Sequence, residues 1–222
     1  MFLQSVTGAF VMYKNFFKNI IDFTVAFLVL IASSPILVLI ALAIKIDSKG
    51  PVVFKQKRLG KNGKEYDMYK FRTMVVNAES GGVYSDNKDP RITKVGGFLR
   101  RTSLDELLQC INILKGDMSL VGFRPPLTYH PWTFDKYTDE QKKMFDVLPG
   151  ITGWAQVNGR KAVEWNHRIE LNVWYAENVS LWFDLKILCL TVWKVISNSD
   201  NENVGATVVN DEKSVKKEMV NK

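Results

Sequence analysis

The sequence predicts an α/β fold, mostly helical, built on an N-terminal membrane helix and completed by a small β-hairpin and amphipathic helices. Three observations carry this. One uncharged apolar stretch near the N-terminus is long enough for a bilayer. Two β-rich segments flank a single turn cluster. Three later segments place apolar residues at helical spacing. The chain has 222 residues, 46% hydrophobic, 24% charged and 12% aromatic, which excludes disordered, collagen-like and coiled-coil classes.

Phe23 to Ile44, FTVAFLVLIASSPILVLIALAI, holds no charge over 22 residues. As a helix it is about 33 Å long, against roughly 30 Å for a bilayer core. A secretory signal has a shorter apolar run and a small-residue cleavage site. Here Lys45-Ile46-Asp47 follows directly, so the segment is expected to be retained. Both flanks are basic, with Lys14 and Lys18 before it and Lys45, Lys49, Lys55, Lys57 and Arg58 after it. Positive charge prefers the cytoplasmic side. Ser33-Ser34-Pro35 sits mid-stretch. Proline removes the amide that would bond to residue 31, a defect of about 3 kcal/mol in a helix interior. Serine hydroxyls can satisfy the freed carbonyl. The residues alone allow a kinked single pass or a helix that bends at mid-depth and returns to its own side.

Residues 51–58 and 65–72 are β-rich, and Leu59-Gly60-Lys61-Asn62-Gly63-Lys64 between them predicts a hairpin. No P-loop spacing is present. Residues 77–97 are polar and Gly-rich, an expected loop. Leu104, Leu107, Leu108, Ile111 and Leu114 predict a helix, N-capped by Ser103 with Glu106 at its third position and ended by Gly116. Residues 116–131 and 149–160 read as loops, with a short helix opened by Thr138 and Gln141 between them. Helices are expected over 162–177 and 181–197. The organisation is then an anchor at 1–48, a globular domain at 49–197 and a polar tail at 198–222.

Thirty Lys+Arg against 23 Asp+Glu leave a net charge of +7, which favours an anionic partner. Cys110 and Cys189 lie in separate apolar runs and fit a reducing compartment. Two histidines exclude a multi-histidine metal site. No DNA- or RNA-binding motif appears, so nucleic acid is not an expected partner.

Asp105-Glu106 is the first chemical candidate. Ser103 and Glu106 together spell a capping box, which alone would account for Glu106. The alternative is a carboxylate pair in a first helical turn, able to hold Mg²⁺ that bridges substrate phosphates. Arg100-Arg101, Arg124 in FRPP and Arg160 in NGR stand beside turn-forming residues, where a guanidinium fork can be held rigid for phosphate. Trp165, Ile169 and Val173 share a helical face, with Trp182 and Trp193 on the next helix. Such faces are core packing or an interfacial surface that contacts membrane lipids.

These segments resemble a known family. GPVVFKQKRLG, YKFRTM, LDELLQ at 104–109, LKGDMSLVG at 114–122 and PGITGWAQVNGR at 149–160 are similar to the bacterial sugar transferases, small monotopic polyprenyl-phosphate phosphoglycosyl transferases. The resemblance runs from about Lys14 to about Ser197. It implies transfer of a sugar-1-phosphate from a UDP-sugar to polyprenyl (undecaprenyl) phosphate, with Mg²⁺ and release of UMP. The implied place is the bacterial inner membrane, with the 49–197 domain catalytic and facing the cytoplasm. It implies Asp105 as nucleophile and Glu106 as metal ligand beside it. Arg100, Arg124 and Arg160 match its phosphate-binding positions, and Lys70 and Arg72 fall in its hairpin motif. Ser34-Pro35 matches its break in a re-entrant helix spanning about 20–46. The family usually has Pro-Arg-Pro where this chain has Phe123-Arg124-Pro125, so a looser loop is expected. The competing reading is a non-enzymatic, membrane-anchored basic adaptor protein.

Overall fold

A computed structural model describes residues 12–82, 89–159 and 164–197. A π-helical turn, Tyr13–Phe17, leads directly into the long helix α1, Lys18–Asp47. The hairpin follows as β1, Val53–Leu59, and β2, Glu65–Phe71, antiparallel with Val53 opposite Phe71. Helix α2 spans Lys94–Thr102, a 3₁₀ turn spans Leu104–Leu108 and α3 spans Gln109–Leu114. Strand β3, Ser119–Val121, pairs in parallel with β4, Gly150–Thr152, and the one-turn helix α4, Asp139–Lys142, lies between them in sequence. The chain continues through α5, Trp154–Val157, α6, Trp165–Glu177, and α7, Leu181–Ile196. The fold is mostly helical with two small sheets; the helical character and the hairpin are as the sequence predicts, and the second sheet is not.

Helix α1 passes through Pro35 without separating into two. The expected break is softened by the serines. Pro35 has no amide to offer Ile31, and Ser34 Oγ donates to the Ile31 carbonyl at 2.8 Å. Ser33 Oγ donates to Val29 O at 2.6 Å. A hydroxyl therefore replaces the missing backbone donor. Tyr13–Asp47 is long and apolar enough to cross a membrane, and only 11% of its most apolar window is buried. A core helix of a water-soluble protein would be mostly buried.

Both halves of α1 nevertheless touch the same globular body. Ala26 packs with Tyr66, Met68, Cys110, Ile113 and Met118. Ile40 and Ile44 pack with Phe71, Leu99 and Leu108. Strand β2 supplies residues to both clusters, so the hairpin bridges the two halves. The third and largest cluster joins Val121, Phe123 and Phe145 to Trp165, Ile169, Val173 and Ile187. The Trp165 face is thus core and not interfacial. Helix α7 does turn apolar side chains outward, with Trp182 81% and Trp193 68% exposed, as a helix lying at a headgroup layer does.

Polar contacts fix the ends of α1. Lys18 Nζ donates to Asp184 Oδ2 at 2.7 Å, and Tyr13 and Tyr175 donate to the two oxygens of the same carboxylate. Asp22 accepts from Ser119 Oγ at 2.5 Å and from the Leu120 amide. At the other end Asp47 accepts from the Val95 amide at 2.9 Å. Arg72 is buried here, donating to Ser48 O and Oγ and to Lys49 O.

Three of the expected loops carry regular structure. Helix α2 starts inside the expected 77–97 loop, because Gly96 lets it press on the Thr73 backbone, where a Cβ would collide. The two expected loops carry β3 and β4, whose pairing depends on long-range contact and leaves no local period. Removing one partner of a buried ion pair leaves the other uncompensated. Lys18→Met should therefore lower the stability of the detergent-solubilised protein by about 3 kcal/mol. Lys18→Met with Asp184→Leu should recover a large part of that loss in thermal unfolding.

Candidate active site

Four charged side chains meet where β2, the 3₁₀ turn and the loop after β3 come together. Ser103 makes the corner. It sits at φ 57°, unusual for a residue with a side chain, and closes α2 by donating its amide to Leu99 O. Its hydroxyl caps nothing, so the expected Ser103–Glu106 capping box does not form. Two helices meeting at a left-handed corner leave no extended N-cap residue to build one. The Glu106 carboxylate is thereby free for cations. Its Oε1 accepts from Lys70 Nζ at 2.7 Å and from Arg124 Nη2 at 3.3 Å. Burial would raise the Glu106 carboxyl, but Lys70 and Arg124 outweigh it and hold the group well below the usual range.

Asp105 is the contrast. It is buried, 9% exposed, and among the described residues none donates a hydrogen bond to its carboxylate. Desolvation raises its pKa, and the Glu106 charge adds to that, against the opposing pull of Lys70, Arg100 and Arg124. Arg100 reaches this region from the last turn of α2, its Nε bonded to Thr73 Oγ1 at 3.0 Å. Asp105 occupies a five-residue 3₁₀ turn, so the positive field around it comes from side chains rather than from a helix dipole.

Arg124 is aimed by its loop. Leu59 N donates to Pro126 O at 3.1 Å, and Arg58 Nη1 donates to Pro125 O at 3.0 Å, laying the loop along the end of β1. Gly122 allows the close approach behind it, since a Cβ there would strike Leu148 O and the Gly150 amide. Phe123 is fully buried against Phe145, ring centroids 5.1 Å apart. Burial of the phenylalanine ring gives the loop a side-chain anchor at the position where the family usually has a proline.

The structure brings together Asp105, Glu106, Lys70 and Arg124, with Arg100 in electrostatic reach. It does not bring Arg72, whose guanidinium is committed to the backbone after α1. Arg160 lies outside the described residues. Ser34 and Pro35 sit in α1. Arg58 was not singled out by sequence reasoning. It lies behind Arg124, and burial together with that neighbour lowers it to about 10. A signal existed, since Phe54, Gln56 and Arg58 alternate on the covered face of β1 while Lys55 and Lys57 face out. Cations outnumber carboxylates, an excess suited to a diphosphate. The paired carboxylates also suit Mg²⁺, which needs only one or two carboxylates when water and substrate phosphates complete its shell. Glu106 Oε2 and the Asp105 oxygens accept no protein donor among the described residues, although no cluster of three or more metal-ligating side chains is found there.

The profile of the bacterial sugar transferases matches residues 13–198. The chain belongs to this family. As a member it is an enzyme, a sugar transferase. It is 46% identical over 180 residues to "Uncharacterized sugar transferase EpsL" of Bacillus subtilis (strain 168), covering 81% of this chain and 87% of that protein. It is 44% identical over 187 residues to "UDP-glucose:undecaprenyl-phosphate glucose-1-phosphate transferase" of Escherichia coli (strain K12), covering 82% of this chain but 40% of that protein. It is 37% identical over 203 residues to "Undecaprenyl-phosphate galactose phosphotransferase" of Salmonella typhimurium, covering 84% of this chain and 42% of that protein. The chain thus spans under half the length of the latter two.

Lys70→Met should leave Glu106 with Arg124 alone and lower thermal stability by several degrees, an effect of about 1–3 kcal/mol. In the Lys70→Met, Glu106→Gln double variant the melting temperature should return toward the parent's while activity stays lost. A double-mutant cycle on thermal unfolding, read beside sugar transfer, measures both.

Proposed function

We propose that the chain transfers a sugar-1-phosphate from a UDP-sugar to polyprenyl (undecaprenyl) phosphate at the inner face of the cytoplasmic membrane, releasing UMP. The observation that carries this reading is Asp105: a buried carboxylate with no hydrogen-bond donor among the described residues, set among cations beside the long apolar helix. Hydrogen bonds would hold its electron pairs, and their lack leaves the oxygens nucleophilic. A membrane adaptor would have no use for such a group. The activities for which the Escherichia coli and Salmonella relatives are named support an undecaprenyl-phosphate acceptor and a glucose or galactose phosphate as the group transferred.

Two displacements at one phosphorus follow. Asp105 Oδ attacks the phosphorus that bears the sugar, the bond to UMP breaks and UMP leaves with the bridging oxygen. A terminal oxygen of the lipid phosphate then attacks the same phosphorus, and the bond to Asp105 breaks to return the carboxylate. Lys70 and Arg124 position Glu106, and Arg124 and Arg100 offer guanidinium forks to the diphosphate. Glu106 and Asp105 would hold Mg²⁺, which supplies charge neutralisation on the diphosphate when bound. Arg160 is assigned to phosphate on its motif alone.

Helix α1 enters and leaves the membrane on the cytoplasmic side in this reading. Support comes from its contacts: Lys18 and Asp22 at one end and Asp47 at the other all bond to the same domain. A helix that carried its ends to opposite faces could not keep both sets.

Two experiments test the proposal. Incubation with UDP-glucose or UDP-galactose and no lipid should give a sugar-phosphate adduct on the Asp105 peptide by mass spectrometry. Asp105→Asn should abolish the adduct and cut turnover by at least about a thousandfold. Its melting temperature in metal-free buffer should not fall, because a neutral amide replaces a desolvated charge. If UMP leaves only once both substrates are bound and no adduct forms, the two-step route is wrong. Separately, in a protein lacking Cys110 and Cys189, single cysteines at Asn19 and Lys49 should be labelled from the cytoplasmic side only. Labelling of the Asn19 site from outside would sink the re-entrant topology.

A further inference from the structure

Outside the charged cluster, a groove of about 590 Å³ lies between the second half of α1 and helix α2. Lys94 apart, every residue lining it is apolar. Its floor is Ile40 and Leu99, both buried in the core. Its walls are Leu39, 65% exposed, and Phe98, 52% exposed. Leu39 belongs to the uncharged stretch of α1, so this wall faces the lipid side of the molecule. Lys94 at the start of α2 and Leu104 just past its end both line the groove, which therefore follows the whole helix, about 14 Å.

Leu104 decides what the groove is for. It is one peptide bond from Asp105, so whatever fills the groove has an end beside the proposed nucleophile. Arg100, on the same helix, favours the ionised Asp105 carboxylate and faces the same place electrostatically. The occupant must have an apolar tail accessible from lipid and an anionic head at Asp105. A bulk phospholipid has the tail, but its doubly esterified phosphate carries less charge and is a poorer nucleophile than a phosphate monoester. A protein helix has no anionic head at the required end.

We propose that this groove seats the isoprenoid chain of the lipid acceptor, the first isoprene units lying between Leu39 and Phe98 and the phosphate emerging past Leu104. The assignment rests on the polyprenyl phosphate acceptor proposed above. It adds what the charged cluster does not contain, a means of recognising the tail. The wall residues become positioning and specificity residues for the second displacement only, since the UDP-sugar is bound before the acceptor phosphate is needed.

The test uses the full chain in nanodiscs of phosphatidylethanolamine and phosphatidylglycerol. Undecaprenyl phosphate carrying a diazirine in its first isoprene units is photolysed without donor. Cross-links should fall on the peptides holding residues 36–43 and 95–104. Ala43→Phe, which fills the groove, should raise the KM for undecaprenyl phosphate by about tenfold, the worth of a few buried methylenes. Phe98→Ala, at a half-exposed position that costs folding little, should do the same. Both should keep the parent's burst of UMP from UDP-glucose or UDP-galactose, which also reports that they are folded. Cross-links confined to α7, cross-links displaced by excess phosphatidylglycerol, or an unchanged acceptor KM in both variants would overturn the inference. Turnover by the parent protein is scored separately, so a failed reaction and a misassigned groove are told apart.

Discussion

Lys18 and Asp184 stand 166 residues apart, and their contact at 2.7 Å, with both side chains under a tenth exposed, sets where the long apolar helix lies against the domain. Such a pair is costly to desolvate and persists only when its remaining hydrogen-bonding capacity is met. Here Tyr13 and Tyr175 meet it on the Asp184 side, one at each carboxylate oxygen. The consequence reaches the far end of α1. With its start held by α7 and Asp47 held by the first turn of α2, the helix must lie along the hairpin, and Ala26 and Ile40 become parts of the domain's core. Most of the other residues between these anchors face outward and keep the helix apolar enough to cross a membrane. One helix thus divides its apolar residues between the core and the exterior, and the polar latches set that division.

The charged site follows a second division, between neighbours. Asp105 and Glu106 share a turn and share burial, yet their protonation is pushed in opposite directions. Burial acts on both. The difference is that Lys70 and Arg124 bond directly to Glu106, whereas they reach Asp105 only through space. Environments that separate two carboxylates in this way also separate their roles. The ion-paired one is suited to stay an anion and hold charge in place. The other, which accepts no hydrogen bond among the described residues, keeps its oxygens open, as the proposed nucleophilic role requires.

The sequence is legible where the physics is local. The hairpin follows from two β-rich runs around Gly60-Lys61-Asn62-Gly63. The Thr138–Gln141 capping box forms as read, and α6 and α7 lie close to their expected bounds. The same capping rule fails at Ser103, because α2 ends there in a left-handed residue that sequence periodicity does not reveal. Arg72 and Lys70 are two residues apart in one motif and have unrelated partners, since the strand ends between them at Phe71. Trp165 gave two admissible readings, core or interface, and only its contact with the Phe145 cluster decides between them. Asp105 and Glu106 were found as a pair. What distinguishes them, the bonds made by Lys70 and Arg124, comes from segments 36 and 18 residues away.

Long-range support also explains how a site can be held on short, irregular segments. None of the elements that carry Asp105, Glu106 and Arg124 is longer than five residues, so none is rigid through its own hydrogen bonds. Rigidity comes from behind. Gly96 brings α2 onto the Thr73 backbone, and Gly122 and Gly153 let the β3 and β4 segments approach closer than any side chain would permit. Phe123 then locks the Arg124 loop by burial. Substituting a fully buried aromatic for a proline trades a constraint on one φ angle for contacts with Phe145 and the core around it. The trade ties the aim of Arg124 to the packing of the Phe145 cluster, so changes in that core reach the site through the loop and not through the charges.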